Sequence, residues 1–280
     1  MQAPRTTASH RAFGGTVSFH AHDSSACGTE MRFVTYLPPA AEQGKVPVLL
    51  YLAGLTCSEE TFMIKAGALR TAARLGLMLV APDTSPRSPR LPGDDASGDF
   101  GLGAGFYVDA TAAPWSAHYR TYSWVTQELP RLLRDRFPAS DRMGVFGHSM
   151  GGHGALVCAL RNPQVFSSVS AFAPIAAPTR CPWGRKAFAG YLGPDEAAWH
   201  AYDATALVAE RGWHGPILVD QGTADKFLAE QLHPRMLEQA CAERGVPLRL
   251  RMQPGYDHGY WFISSFMEDH LRFHHEILSR

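Results

Sequence analysis

From Val46 onward the sequence repeats one unit: a short apolar run, a loop rich in glycine or polar residues, then a stretch with helical spacing. The apolar runs are VPVLLYL (46–52), LMLVAP (77–82), MGVFGH (143–148), SVSAFAP (168–174), PILVDQG (216–222) and VPLRLRM (246–252). Near-continuous apolar character, in place of an in-and-out alternation, reads as strands buried on both faces. Helical stretches at 61–75, 119–136, 150–161, 229–244 and 260–278 lie between or after them. Parallel strands need such crossovers, because a tight turn cannot return the chain to the same edge. Two earlier segments, TVSFHAH (16–22) and MRFVTYL (31–37), are separated by Gly and Ser and predict a hairpin. The expected class is α/β: a mostly parallel central sheet with an antiparallel N-terminal hairpin and helices on both faces. With 280 residues and no internal repeat, low-complexity tract or linker, the chain reads as a single domain over 1–280.

Composition narrows the partners. Hydrophobic residues at 45% and charged residues at 19% can build a large core, unlike a disordered chain. The 26 basic and 26 acidic residues cancel, leaving no footprint for nucleic acid or an anionic membrane, so a small-molecule ligand is expected. The first residues, MQAPRTTASHRAFGG, hold no apolar signal-peptide core, and the longest apolar run, Pro47 to Leu55, is too short to span a bilayer. A cytoplasmic protein is expected. Cys27, Cys57, Cys158, Cys181 and Cys241 form an odd set without a CxxC pair, which predicts free thiols and no metal site.

Between the elements, residues from about 83 to 118 show no sustained period and are rich in Gly, Pro, Asp and Ser. A loop this long in a compact domain is usually functional, and Phe100, Phe106, Tyr107 and Trp115 within it argue for packing against the body. A second irregular stretch, Pro174 to Gly193, is a candidate for another pocket wall.

The motif that carries chemistry is GHSMGG (147–152). A GxSxG pattern is weak evidence in a chain with 26 glycines; its setting is what matters. It follows the strand MGVFGH and opens the helical stretch GGHGALVCAL, and so resembles the nucleophile elbow of the α/β-hydrolase fold. The turn forces Ser149 into a strained backbone conformation, and flanking glycines avoid collision with the adjoining strand and helix. The hydroxyl then stands at the positive end of a helix dipole. The bland alternative is a helix cap in a glycine-rich turn.

A serine hydroxyl needs a base oriented by a carboxylate, and in α/β-hydrolases these follow in the order Ser, Asp or Glu, His. Eight of the 13 histidines lie downstream of Ser149: His153, His200, His214, His233, His258, His270, His274 and His275. Only His258 sits in a short loop, QPGYDHG, after a strand and before a helix, so it is the expected base. Asp225, in GTADKF after the strand PILVDQG, is the expected acid. Asp203 and Asp220 would have to reach further, and Asp257 adjoins the base and points elsewhere. The oxyanion donors fall by position on the backbone N–H groups of Met150, after the nucleophile, and Leu55, in LAGLTC (52–57).

Taken together, GLTCSEETF (54–62), APDTSPR (81–87), GAGFYVDAT (103–111), FGHSMGGHGAL (146–156), CPWGRKAF (181–188), DQGTAD (220–225) and GYDHGY (255–260) resemble the S-formylglutathione hydrolase, or esterase D, family over nearly the whole chain. The resemblance implies a cofactor-free serine thioesterase that cleaves S-formylglutathione to glutathione and formate in formaldehyde detoxification, with side activity on short acyl esters. It matches Ser149, Asp225 and His258, and it places Cys57 near the nucleophile. On residue type alone Cys57 would be a small buried hydrophobe. Trp183 in CPWG is a candidate pocket wall. Arg87, Arg90, Arg180, Arg185 and Lys186 are candidates to meet glutathione carboxylates, and a homodimer is compatible with this reading. Departures from the family pattern are Gly98, Gly259, Trp261 and the Ala53 of LAGLTC; the first is expected to alter pocket shape. Rival readings are a general short-chain carboxylesterase, a secreted mycolyl-type acyltransferase, which the absent signal peptide disfavours, and a non-catalytic binding module, which predicts a broken triad.

Overall fold

The structure is a computed structural model and describes residues 3–280; Met1 and Gln2, the first positions of the stretch read as free of a signal peptide, lie outside them. One nine-stranded sheet runs through the molecule in the order β1-β2-β3-β5-β4-β6-β7-β8-β9. Its strands are β1 (Arg5–Ala12), β2 (Gly15–Ser24), β3 (Thr29–Leu37), β4 (Val46–Leu52), β5 (Met78–Pro82), β6 (Ala139–His148), β7 (Ser168–Phe172), β8 (Ile217–Gly222) and β9 (Leu248–Gln253). Pairing is antiparallel from β1 to β3 and between β3 and β5, and parallel throughout the rest. The helices are α1 (Thr61–Lys65), α2 (Leu69–Leu75), α3 (Thr121–Ser123), α4 (Leu129–Arg136) and α5 (Met150–Arg161). They continue with α6 (Pro182–Leu192), α7 (Glu196–Trp199), α8 (Ala204–Arg211), α9 (Pro234–Arg244) and α10 (Tyr260–Leu278).

Strand order explains the layering. The chain moves one way from β4 to β5, then jumps back past β4 to β6 and on to β9. Right-handed crossovers in opposite directions put helices on opposite faces. Accordingly α2 packs with α10, while α5 packs with α8 and α8 with α9. The reversal falls between β4 and β6, and the crevice at their carboxyl ends is where open α/β sheets bind ligands. Strands β4 to β8 are buried almost throughout, with Val48, Leu49, Leu50, Val145, Val169 and Ile217 in the core.

Several elements differ from the sequence expectation, each for an identifiable reason. The antiparallel start has three strands, because β1, RTTASHRA, is a largely exposed edge with no apolar face to reveal it. β9 is only partly buried, since it forms the opposite edge. Helix 61–75 breaks at Gly67, which adopts φ +69° between α1 and α2. The helix expected over 229–244 is interrupted at His233 (φ +48°), where Pro234 starts α9. The stretch Pro174–Gly193 is not irregular throughout, because α6 occupies Pro182–Leu192, with Pro182 in its first turn and Cys181 Sγ accepting from the Gly184 N–H. The long loop over 83–118 packs as expected: Phe106 and Tyr107 are buried, and the Phe100 ring stacks 4.5 Å from that of Tyr191.

Candidate active site

Ser149 stands between β6 and α5 with φ 57° and ψ −117°, a left-handed conformation that costs a non-glycine residue about 1–3 kcal/mol. Its N–H donates to Phe172 O at 3.0 Å and its carbonyl accepts from Ile175 N–H at 3.2 Å, so the elbow is pinned to the end of β7. A Cβ on Gly151 would overlap the Leu52 carbonyl oxygen, which is why the turn can pass this close to β4 only with glycine there.

His258 and Asp225, the expected base and acid, come from the loops after β9 and β8. His258 Nδ1 donates to Asp225 Oδ2 at 2.6 Å, leaving Nε2 for the serine side. Asp225 is buried and also accepts from Phe227 N–H at 2.8 Å and Gln221 Nε2 at 3.1 Å, so its carboxylate is fixed from three sides. The two loops are joined directly, with Ala224 N–H donating to Tyr256 O at 2.9 Å and Thr223 N–H to Gln253 O at 3.0 Å. Gly222 allows that approach, since a Cβ there would strike the Tyr256 carbonyl. Among the described residues no hydrogen bond joins Ser149 Oγ to His258, although both border one cavity of about 430 Å³. Such bonds often tighten only when substrate is bound.

Leu55 borders the same cavity, and its N–H has no backbone acceptor among the described residues. The surrounding carbonyls are tied down instead: Tyr107 Oη donates to Ala53 O at 2.9 Å, and Thr84 Oγ1 donates to Cys57 O at 2.6 Å. Thr56 is held at φ +65° with its N–H on Gly103 O, so the long loop braces this turn. Met150 is the first residue of α5, where an N–H has no preceding helical turn to bond. Both expected oxyanion donors therefore lie in the turns that flank the nucleophile.

The remaining walls are mostly apolar. Trp183 borders the cavity, its ring 4.7 Å from Phe227, whose own ring meets His258 edge-on at 5.0 Å. Cys57 also borders it, half-buried, and burial pushes its thiol up, so it is a poor source of thiolate. Gly98 lines the cavity, as the departure at that position suggested, whereas Trp261 is 84% exposed and does not. Sequence reasoning missed Phe227, Tyr260, Asp99 and His148 as lining residues. The first two stand two places after Asp225 and His258, which was the available signal. His148 is buried 4.4 Å from the His258 ring with neither ring nitrogen hydrogen-bonded, and burial, aided by the nearby His258, pushes it well below the usual imidazole range.

The passed-over carboxylates have other work. Asp203 caps α8 and accepts from Thr179, Asp257 turns back onto the Gly259 N–H, and Asp220 is buried among Arg251, Gln253 and His270. His153, His270 and His274 are core residues. Arg87, Arg90 and Arg185 pair with Asp83, Asp94 and Glu196, while Arg180 is exposed. Among the described residues no cluster of metal-ligating side chains occurs, and no helix is long and apolar enough to cross a membrane.

An α/β-hydrolase-fold enzyme is what this sheet, elbow and pair of strand-end loops define. The esterase family model matches residues 24–273. An S-formylglutathione hydrolase of Mus musculus is 53% identical over 280 residues, covering 99% of each chain, and one of Paracoccus denitrificans is 52% identical over 277 residues with the same coverage. The solved S-formylglutathione hydrolase from Agrobacterium tumefaciens aligns with a TM-score of 0.95 at 47% identity, covering 98% of this chain and 99% of that one. The chain belongs to the S-formylglutathione hydrolase family.

Proposed function

We propose that the protein hydrolyses S-formylglutathione to glutathione and formate through an acyl-enzyme on Ser149, the step that completes glutathione-dependent formaldehyde detoxification. The observation that carries this reading is the convergence of the Ser149 elbow, the His258–Asp225 pair and the Leu55 turn on one cavity. The high identity to S-formylglutathione hydrolases supports the substrate.

In this mechanism Ser149 Oγ attacks the formyl carbon as His258 Nε2 takes its proton. Asp225, bonded at Nδ1, holds the ring in that tautomer and stabilises the imidazolium. The carbonyl oxygen becomes an oxyanion, received by the N–H groups of Leu55 and Met150 at the positive end of α5. The C–S bond breaks, and the departing thiolate needs little acid assistance; the proton on His258 completes the free thiol. Water then attacks the formyl ester, gives its proton to His258 and releases formate, and Ser149 recovers its hydrogen. No step calls for a metal or organic cofactor.

Five free thiols suit a reducing compartment, and a cytoplasmic setting is part of the proposal, as is a homodimer, which sedimentation would test. The deciding experiment compares kcat/KM on S-formylglutathione with that on a short-chain aryl ester. A clear preference for the thioester is expected, and equal or better efficiency on the plain ester would point to a general carboxylesterase.

A further inference from the structure

S-formylglutathione carries its formyl group on the sulfur of its central cysteine; its γ-glutamyl arm ends in an α-amino acid head, ammonium and carboxylate on one carbon, and its glycyl arm in a lone carboxylate. The cavity beside Ser149 is walled mainly by Leu55, Trp183, Phe227 and Tyr260, none of which carries a charge to pair with an ammonium or a carboxylate. Among the described residues bordering it, Asp99 is the only carboxylate. Lys186 Nζ lies 2.5 Å from Asp99 Oδ1 and 3.0 Å from Ser97 Oγ. Lys186 sits on α6 one turn after Trp183, so a helical turn presents the aromatic wall and the ammonium on the same side.

We propose that Asp99 and Lys186 form the subsite for the γ-glutamyl head of the substrate, Asp99 receiving its ammonium and Lys186 its carboxylate. This rests on the reading that the substrate is a glutathione thioester. Three features of the pair fit that use. An ammonium has three donors, and Lys186 commits two to Ser97 and Asp99, so one remains for an incoming carboxylate. Asp99 stays ionised: burial pushes its carboxyl up, but hydrogen bonds from Lys186 and Ser97 outweigh this and hold it below the usual carboxylate range. Both side chains are partly exposed, Lys186 at 47% and Asp99 at 26%, so a ligand can reach them without breaking the ion pair. The other candidate cations with acidic partners, Arg87, Arg90 and Arg185, pair with carboxylates that do not border the cavity. The Lys186–Asp99 pair also bridges the long loop to α6, and a purely structural role would make its loss deform the cavity for every substrate alike. The test separates the two roles.

The full enzyme and its Asp99→Asn and Lys186→Met variants are assayed on S-formylglutathione and on the formyl thioester of N-acetylcysteamine, which has the same reacting group and no charged head. Loss of a charge-assisted contact should lower the preference for S-formylglutathione by about 10- to 100-fold, carried by KM, with Lys186→Arg retaining most of it. An unchanged preference, whether activity is kept or falls equally on both substrates, would reduce the pair to a structural latch and overturn the proposal. A wild-type enzyme with no preference for S-formylglutathione would instead remove the substrate reading on which the proposal stands.

Discussion

Among the described residues a Ser–His–Asp set occurs twice: Ser149 and His258 border the cavity, with Asp225 behind His258, whereas Ser170, His270 and Asp220 are buried. Ser170 Oγ lies 2.7 Å from His270 Nδ1, and His270 Nε2 lies 3.0 Å from Asp220 Oδ2, all three residues being fully buried between the sheet and α10. His274 extends the chain to Ser168, with contacts of 2.8 Å to Ser170 and 2.7 Å to Ser168. Asp220 also accepts from Arg251 Nε at 2.7 Å and Gln253 Nε2 at 2.9 Å. Burial alone would push its carboxyl up, but the bonds from His270 and Arg251 outweigh that and hold it low, a sign of a fully satisfied network. Asp220→Ala would leave Nε2 of buried His270 without its acceptor and take from part-exposed Arg251 one of its two carboxylates, the other being Asp269, a loss of about 3–5 kcal/mol. For a chain of this size that lowers Tm by about 5–8 °C, with kcat per folded molecule changed little. Asp225→Asn should do the reverse, keeping the fold and lowering kcat by about 10⁴-fold through the wrong imidazole tautomer. Calorimetry and kinetics normalised to folded enzyme give both quantities. Loss of turnover in Asp220→Ala without a fall in Tm, or retained turnover in Asp225→Asn, would refute the assignment of roles.

Gly151→Ala should fail to fold to the native state or lose more than about 3 kcal/mol, because the overlap is with the rigid β4 backbone; urea unfolding of a soluble, wild-type-like variant would contradict this. Burial lowers His20 and His153 to about 4 from 6.5, so the unfolded chain takes up protons that the folded one refuses as pH drops below 6.5. The stability from each is therefore intact above pH 6.5 and is lost on acidification towards pH 4, about 2 kcal/mol per imidazole between pH 7 and 5; denaturant midpoints that hold constant or rise over that interval would oppose the sign. Cys57 is half-buried and the other four thiols are buried, so alkylation should block the cavity through Cys57 alone. Inhibition that persists in Cys57→Ser would assign the effect elsewhere.

Much of this site could be read from the chain because its chemistry is tied to positions in the fold. Ser149, Asp225 and His258 each follow a strand, and the strands announce themselves as apolar runs. What the sequence hid has physical causes. β1 lies at an exposed edge where its side chains meet mostly polar partners such as His20 and Ser18, so no apolar alternation marks it. α6 starts at a proline inside a glycine-containing stretch, where composition suggests a loop and the Cys181 cap gives no conventional signal. Phe227, Tyr260 and Asp99 reach the cavity from three separate segments, a convergence that only the folded chain reveals. Lys186, grouped by sequence with four arginines, is set apart by its partner Asp99 at the cavity edge.

Ser149 Oγ is the atom proposed to carry the formyl group, and Cys57, bordering the same cavity, is the competing nucleophile. Rapid acid quench of the enzyme during turnover of S-formylglutathione, followed by peptide mapping by mass spectrometry, locates that group directly. A formyl adduct on the Ser149 peptide, absent in Ser149→Ala together with turnover, is the predicted result. An adduct on the Cys57 peptide, or turnover that survives in Ser149→Ala, would contradict it.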